Sequence, residues 1–206
     1  MSWLTLVDPA TLAVFMAAGI ALNLTPGADV MFATACGAAQ GWQSGVAAAA
    51  GISAGSIVHV ALTAAGLAAL LQTYPAALEA IRWAGAAYLA WLAWRSWQTA
   101  GPACASPAAT LRAAARRGLL TNVLNPKVAL FVLAFLPQFT DPSRGPVWAQ
   151  IVLLGLVFTS TGFVITAAYG ATAGALATPL RRHARALNRI TATVYAALAA
   201  RLVLTP

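Results

Sequence analysis

No Asp, Glu, Lys or Arg occurs between Asp29 and Glu79, and none occurs between Arg144 and Arg181. A helix that crosses a bilayer needs ~20 predominantly apolar residues, so each charge-free stretch can hold at least one span. Apolar and polar residues do not alternate at period two, which points to helices rather than the strands of an outer-membrane barrel. Only 8% of the 206 residues are charged and 61% are hydrophobic, against roughly 25% charged in an average soluble domain. The chain reads as an all-α integral membrane protein.

The formal net charge of +8 would suit a nucleic-acid ligand on a soluble protein. Here the basic residues gather in two stretches between apolar runs, as cytoplasmic loops do under the positive-inside rule. No nucleic-acid partner is expected, and the lipid bilayer is the first partner. Cys36 and Cys104 lack metal-ligand spacing, and His59 and His183 are too few for a metal centre. Neither a metal nor a cofactor is expected. The N-terminus lacks the positive segment of a signal peptide, so the first span is expected to be retained.

Six transmembrane helices fit the hydropathy, over about 10–36, 45–72, 76–98, 118–139, 147–176 and 188–204. A short turn is expected over Gly37 to Ser44, and a proline-bearing, basic loop over 99–117. A further turn falls at Asp141 to Pro146, and a second basic loop carries Arg181, Arg182, Arg185 and Arg189. Loops one, three and five share one side, so the arginines of loops three and five place both termini outside. The 206 residues form a single transmembrane domain, with repeat one over 10–98 and repeat two over 118–206. Three spans per half is odd, so two such repeats must be inverted relative to each other.

Two polar knots interrupt this apolar frame. Asn23-Leu-Thr-Pro-Gly-Ala-Asp29 lies in span one, and Thr121-Asn-Val-Leu-Asn-Pro-Lys127 in span four. Thr25-Pro26 and Asn125-Pro126 each place a good N-cap residue before proline, the combination that starts a helix. Proline also removes a backbone donor and clashes with the preceding turn. Spans one and four are therefore expected to be broken at Pro26 and Pro126. Asp29 and Lys127 each cost about 2.5–3.5 kcal/mol at the centre of a span. Each must face a partner or a wet cavity, and a mutual ion pair that merely orders the bundle would also satisfy them. Asn23, Asn122 and Asn125 fit helix-to-helix hydrogen bonds as well as ligand contacts. Gly51 with Gly55, and Gly170 with Gly174, are small-xxx-small pairs that permit close helix packing.

The sequence resembles the lysine exporter and homoserine/threonine resistance family (LysE/RhtB) of small bacterial inner-membrane amino-acid exporters. The resemblance rests on Asn23-Leu-Thr-Pro-Gly-Ala-Asp29, on Gly51-Ile-Ser-Ala-Gly55 before His59, and on Trp83-Ala-Gly-Ala-Ala-Tyr-Leu89 with Trp91. It also rests on Gly118-Leu-Leu-Thr-Asn-Val-Leu-Asn-Pro-Lys127 running on to Phe135-Leu-Pro-Gln-Phe139. It covers residues 10 to 145 by motif and the remainder by hydropathy. The chain departs from the family at Ala28, where a second proline is usual, and at Trp42-Gln43, where basic residues are usual.

The resemblance implies a secondary-active exporter of amino acids or close derivatives in the bacterial inner membrane, energised by proton antiport with alternating access. An amino acid and protons are then the expected partners, and a homo-oligomer is left open. An α-amino acid carries a carboxylate and an ammonium, and a broken helix offers partners for both. Helix N-termini at Gly27 and Lys127 present amide hydrogens to the carboxylate, while carbonyls left unpaired before each proline, with Asp29, suit the ammonium. The candidate substrate-binding residues are Asn23, Thr25, Pro26, Gly27, Asp29, Asn122, Asn125, Pro126 and Lys127. The alternatives are a channel or an exporter of another substrate class, and an intramembrane hydrolase. The hydrolase would use Ser53 of the G-x-S-x-G pattern with His59. Six residues along a helix turn through about 240°, which points Ser53 and His59 to different faces and argues against that dyad.

Overall fold

In a bilayer every backbone N–H and C=O needs a partner within the protein, and helices are the solution this chain adopts. The computed structural model describes residues 6–24, 27–73 and 110–173, with isolated helical positions between 83 and 98 and between 186 and 203. Spans three and six therefore lie largely outside the described residues, as do Thr25 and Pro26. Among the described residues there is no strand.

Helix α1 (Pro9–Leu24) starts on Asp8, whose Oδ2 accepts from the amides of Ala10 and Thr11 at 3.0 and 3.2 Å. Helix α2 (Ala28–Gln40) follows at a 52° angle to α1. Helix α3 (Trp42–Thr73) is the longest among the described residues. Helix α4 (Leu111–Val123) is capped by Thr110, which accepts from Ala113 N at 3.1 Å. The short α5 (Pro126–Leu130) runs on into a π-helical turn, Phe131–Phe135, and a 3₁₀ turn, Leu136–Phe139; this second half bends 54° from α4. Helix α6 (Val147–Ala171) closes the described bundle.

Trp42–Gly66 and Val147–Ala171 are long and apolar enough to cross a membrane, and up to four spans result if each bent pair counts as one. Three expectations are corrected. The turn expected over Gly37 to Ser44 shrinks to Gly41, because α2 runs to Gln40 and α3 begins at Trp42; Gly41 has φ 86°, a left-handed conformation that favours glycine. The basic loop expected to reach residue 117 ends at Thr110: Arg112, Arg116 and Arg117 lie on α4, since arginine is a good helix former and Thr110 supplies the cap. The helix after the first break has Gly27 as its N-cap, not Thr25, and among the described residues no side chain caps it.

Glycines set how the helices run. A Cβ on Gly51 would overlap the Ala115 carbonyl, and one on Gly55 would meet Leu119 and Asn122 at about 2.9 Å, so α3 and α4 run parallel at backbone contact. Gly19 lies against Phe158, and Gly37 against the Gly170 carbonyl, so α1 and α2 run parallel to α6. Gly45 meets Gly170 while Val60 meets Gly155, which makes α3 and α6 antiparallel. Gly51, Gly55 and Gly170 are thus helix contacts, as the small-xxx-small pairs suggested; Gly174 lies outside the described residues.

Two apolar clusters flank the breaks. The larger joins Phe15 of α1, Phe131, Phe135 and Phe139 beyond the second break, and Phe158 of α6, with ring centroids 4.8–6.4 Å apart. The smaller gathers Phe32, Ala33 and Cys36 of α2, Ala48 and Ile52 of α3, and Ala114 of α4. At the outer edge of the larger cluster, Arg144 lies 3.4 Å from Asp8. Buried Gln150 closes the adjoining turn by donating to the Asp141 and Gly145 carbonyls and accepting from the Asp141 amide. Hydrogen bonds from the Ser143 hydroxyl and amide hold the exposed Asp141 carboxyl below the ordinary carboxylate range.

Candidate functional site

Residue 26 is proline and has no N–H, so the Leu22 carbonyl, four residues earlier, lacks its ordinary helical donor. The Lys127 ammonium supplies one, at 3.1 Å. The same deficit arises at the second break, where Pro126 leaves the Asn122 carbonyl without its donor. Here His59 Nε2 of α3 approaches that carbonyl at 3.1 Å, and the Asn125 amide also donates to it at 2.9 Å. A carbonyl only accepts, so Nε2 of His59 carries a hydrogen. Each broken span is thus completed by a side chain from the opposite half of the chain.

Asp29 sits in the first turn of α2, where a carboxylate is favoured by the helix dipole. Its Oδ2 accepts from Asn122 Nδ2 at 2.9 Å and from Asn125 Nδ2 at 3.0 Å. Asn122 is 1% exposed and is itself oriented by Ser56, whose hydroxyl donates to Asn122 Oδ1 at 3.3 Å. The Asn125 carbonyl oxygen of the side chain accepts from Lys127 N at 3.0 Å, which makes it the N-cap of α5, with Pro126 at the first helical position. That bond corrects the expectation of a free amide at Lys127. The amide is held by Asn125, so what Lys127 offers a ligand is its ammonium. At the first break the α2 N-terminus has no side-chain cap among the described residues.

One cavity, about 30 Å³, lies between the breaks. Asn23, Gly27, Asp29, Asn122, Asn125 and Lys127 line it, so the structure brings together six of the nine residues singled out in the sequence. Thr25 and Pro26 lie outside the described residues, and Pro126 contributes its backbone to α5. No hydrogen bond joins Asp29 to Lys127 among the described residues, because Asp29 Oδ2 is held by the two asparagines and Lys127 reaches Leu22. A Cβ on Gly27 would lie 3.3 Å from Lys127 Nζ, so glycine there leaves room for the ammonium. Asn23 also donates to Phe158 O and Thr161 Oγ1, both at 3.3 Å, which ties α1 to α6 as a helix-to-helix bond.

Sequence reasoning missed the walls contributed by α3 and α6. Ser53 and Ser56 face the cavity from α3, and Phe158, Thr159, Gly162 and Thr166 from α6. Ser53 lines the cavity while His59 is engaged by the Asn122 backbone, and no hydrogen bond joins the two among the described residues. Isolated serines and threonines in apolar helices carry no motif; only a small-residue neighbour such as Gly55 or Gly162 hinted at these faces.

The LysE type translocator family model matches residues 20–205. A Vibrio cholerae membrane protein is 30% identical over 180 residues, covering 86% of this chain and 85% of that one. A homoserine/homoserine lactone efflux protein of Salmonella typhimurium is 30% identical over 173 residues, 82% of this chain and 84% of its own. A leucine efflux protein of Enterobacter sp. is 30% identical over 148 residues, 68% and 69% of the two chains. No solved structure matches the chain. With a helical membrane fold broken in two places and a family match running over most of its length, the chain belongs to the LysE type translocators.

Proposed function

We propose that this protein is a secondary-active exporter of amino acids or close derivatives across the bacterial inner membrane, working by proton antiport with alternating access. The observation that carries it is the meeting of Asp29 and Lys127, the two charges expected deep in the spans, at one cavity between two helix breaks. In this reading a zwitterion lies between them. Asp29 takes the ammonium in one phase of the cycle and a proton in the other, while Lys127 and the uncapped α2 N-terminus take the carboxylate. The relatives that export homoserine and leucine make those two acids the first substrates to try.

Efflux of labelled amino acids from dipeptide-fed cells, with and without an uncoupler, tests the whole reading. Export that stops with the uncoupler is the expected result. Flux indifferent to the proton gradient would make the protein a channel, and no flux for any amino acid would remove the transport assignment.

The six spans form two inverted three-helix repeats in this reading, with both termini periplasmic. The parallel course of α3 and α4 supports it, since two parallel spans leave one further crossing between them. Reporter fusions after Arg117 and Arg185 are expected to report cytoplasm, and a fusion at Pro206 periplasm. A cytoplasmic C-terminus would overturn the span count.

A further inference from the structure

Three buried side-chain oxygens among the described residues have no hydrogen-bond partner: Asp29 Oδ1, Gln138 Oε1 and Thr159 Oγ1. Asp29 and Thr159 line the same cavity, from α2 and from α6. Threonines in apolar helices ordinarily turn their hydroxyl back to the carbonyl four residues earlier. Thr34, Thr63, Thr121 and Thr161 all do so here. Thr159 does not, although it is only 7% exposed and the Gly155 carbonyl is within its own helix. A buried hydroxyl that forgoes its local acceptor is destabilising until something else satisfies it.

We propose that Thr159 Oγ1 and Asp29 Oδ1 together form the amine subsite of this transporter, and that they recognise a protonated primary amine. This deepens the amino-acid export reading and rests on it. The two asparagines occupy Asp29 Oδ2 and leave the buried Oδ1 without a hydrogen-bond partner, on a residue that lines the cavity. A carboxylate oxygen accepts only, and a hydroxyl oxygen can accept alongside it. Two acceptors from different helices call for a ligand with at least two N–H donors on one atom. An ammonium group has three, whereas a tertiary ammonium has one. Phe158, Val30 and Ile52 form apolar wall around the pair, which strengthens such bonds by keeping water from competing. The amine would bridge spans one and five, so its arrival draws α2 and α6 together at the site.

The test uses the purified full chain in proteoliposomes with an imposed proton gradient, and follows L-leucine and N,N-dimethyl-L-leucine. The wild type is expected to favour the primary amine by at least about tenfold in kcat/KM, as loss of a hydrogen bond to a charged group implies. Thr159→Val keeps the shape and removes the hydroxyl. It is expected to raise KM for L-leucine about tenfold and to shrink the preference between the two compounds, and Thr159→Ser is expected to restore both. A purely structural role for Thr159, or exclusion of the dimethyl compound by bulk alone, would leave that preference unchanged. An unchanged preference in Thr159→Val overturns the subsite while leaving the export reading intact. Equal transport of the two compounds by the wild type overturns it as well, without recourse to any variant. Should the wild type move neither compound nor any acid of the efflux panel, the export reading fails and the subsite with it.

Discussion

Asp29→Asn is expected to abolish coupled export, with at least a ~100-fold loss, while the protein stays inserted and folded. The substitution preserves shape. An asparagine at position 29 still offers an oxygen to Asn122 Nδ2 and Asn125 Nδ2, the bonds that tie α2 to the second break, so the packing around the cavity survives. What disappears is the charge. Hydrogen bonds to a charged group contribute about 1.5–3 kcal/mol, roughly one to two decades in substrate affinity. A group that can no longer gain or lose a proton also cannot couple flux to a gradient. Uptake of labelled substrate into inverted vesicles, with size-exclusion of the purified variant as the folding control, separates the two effects. Normal export by Asp29→Asn would sink the assignment of this carboxylate.

Gly170→Val is expected to have the largest effect on folding, removing most of the correctly assembled protein. A Cβ at this position would lie 2.7 Å from the Gly45 Cα and 2.9 Å from the Gly45 carbonyl oxygen, closer than real Cβ atoms approach. The obstacle is backbone rather than a flexible side chain, so α6 must lift from α3. Gly37 of α2 presses on the same Gly170 carbonyl, and a shift of α6 therefore loosens both neighbours. Overpacking of a tight core costs about 1–3 kcal/mol and occasionally more; at a contact between two backbones the upper end or beyond applies. The control is Gly66→Ala, where a Cβ meets nothing within 4 Å among the described residues and stability should hold. Thermal unfolding of the detergent-solubilised variants, read by fluorescence, compares them. A Gly170→Val protein as stable as the wild type would mean the helix contact is looser than described.

The breaks were legible in the sequence because they oppose their surroundings: a proline and a charge in apolar sequence are costly, so Asp29, Lys127 and the Asn125-Pro126 cap stood out. The first cap was not, because Thr25 and Gly27 both suit an N-cap and only the backbone path chooses between them. The start of α4 was hidden for a different reason. Arg112, Arg116 and Arg117 are too charged for a span, yet they are good helix formers, and hydropathy does not distinguish a loop from a helix that extends beyond the bilayer. The π-helical turn at Phe131–Phe135 leaves no compositional trace either, since Phe-Val-Leu-Ala-Phe suits any buried helix. Ser56, His59 and Thr159 matter through which face of α3 or α6 meets the breaks. That depends on helix rotation, which the glycine contacts decide.

The carbonyl of Leu22 has a genetic consequence. Lys127 is bonded there to an atom every amino acid possesses, so changing the side chain at 22 offers no compensation when Lys127 is lost. A suppressor of the structural loss would instead have to supply a donor, and in the i to i+4 pattern of a helix the sequence position that corresponds to Leu22 is 26, where any residue but proline carries an N–H. At the second break the Asn125 amide already donates to the Asn122 carbonyl, so loss of His59 leaves that carbonyl with a partner. Changes that restore assembly after loss of Lys127 would therefore map one helical turn away from the contact, while the ammonium stays lost to the substrate.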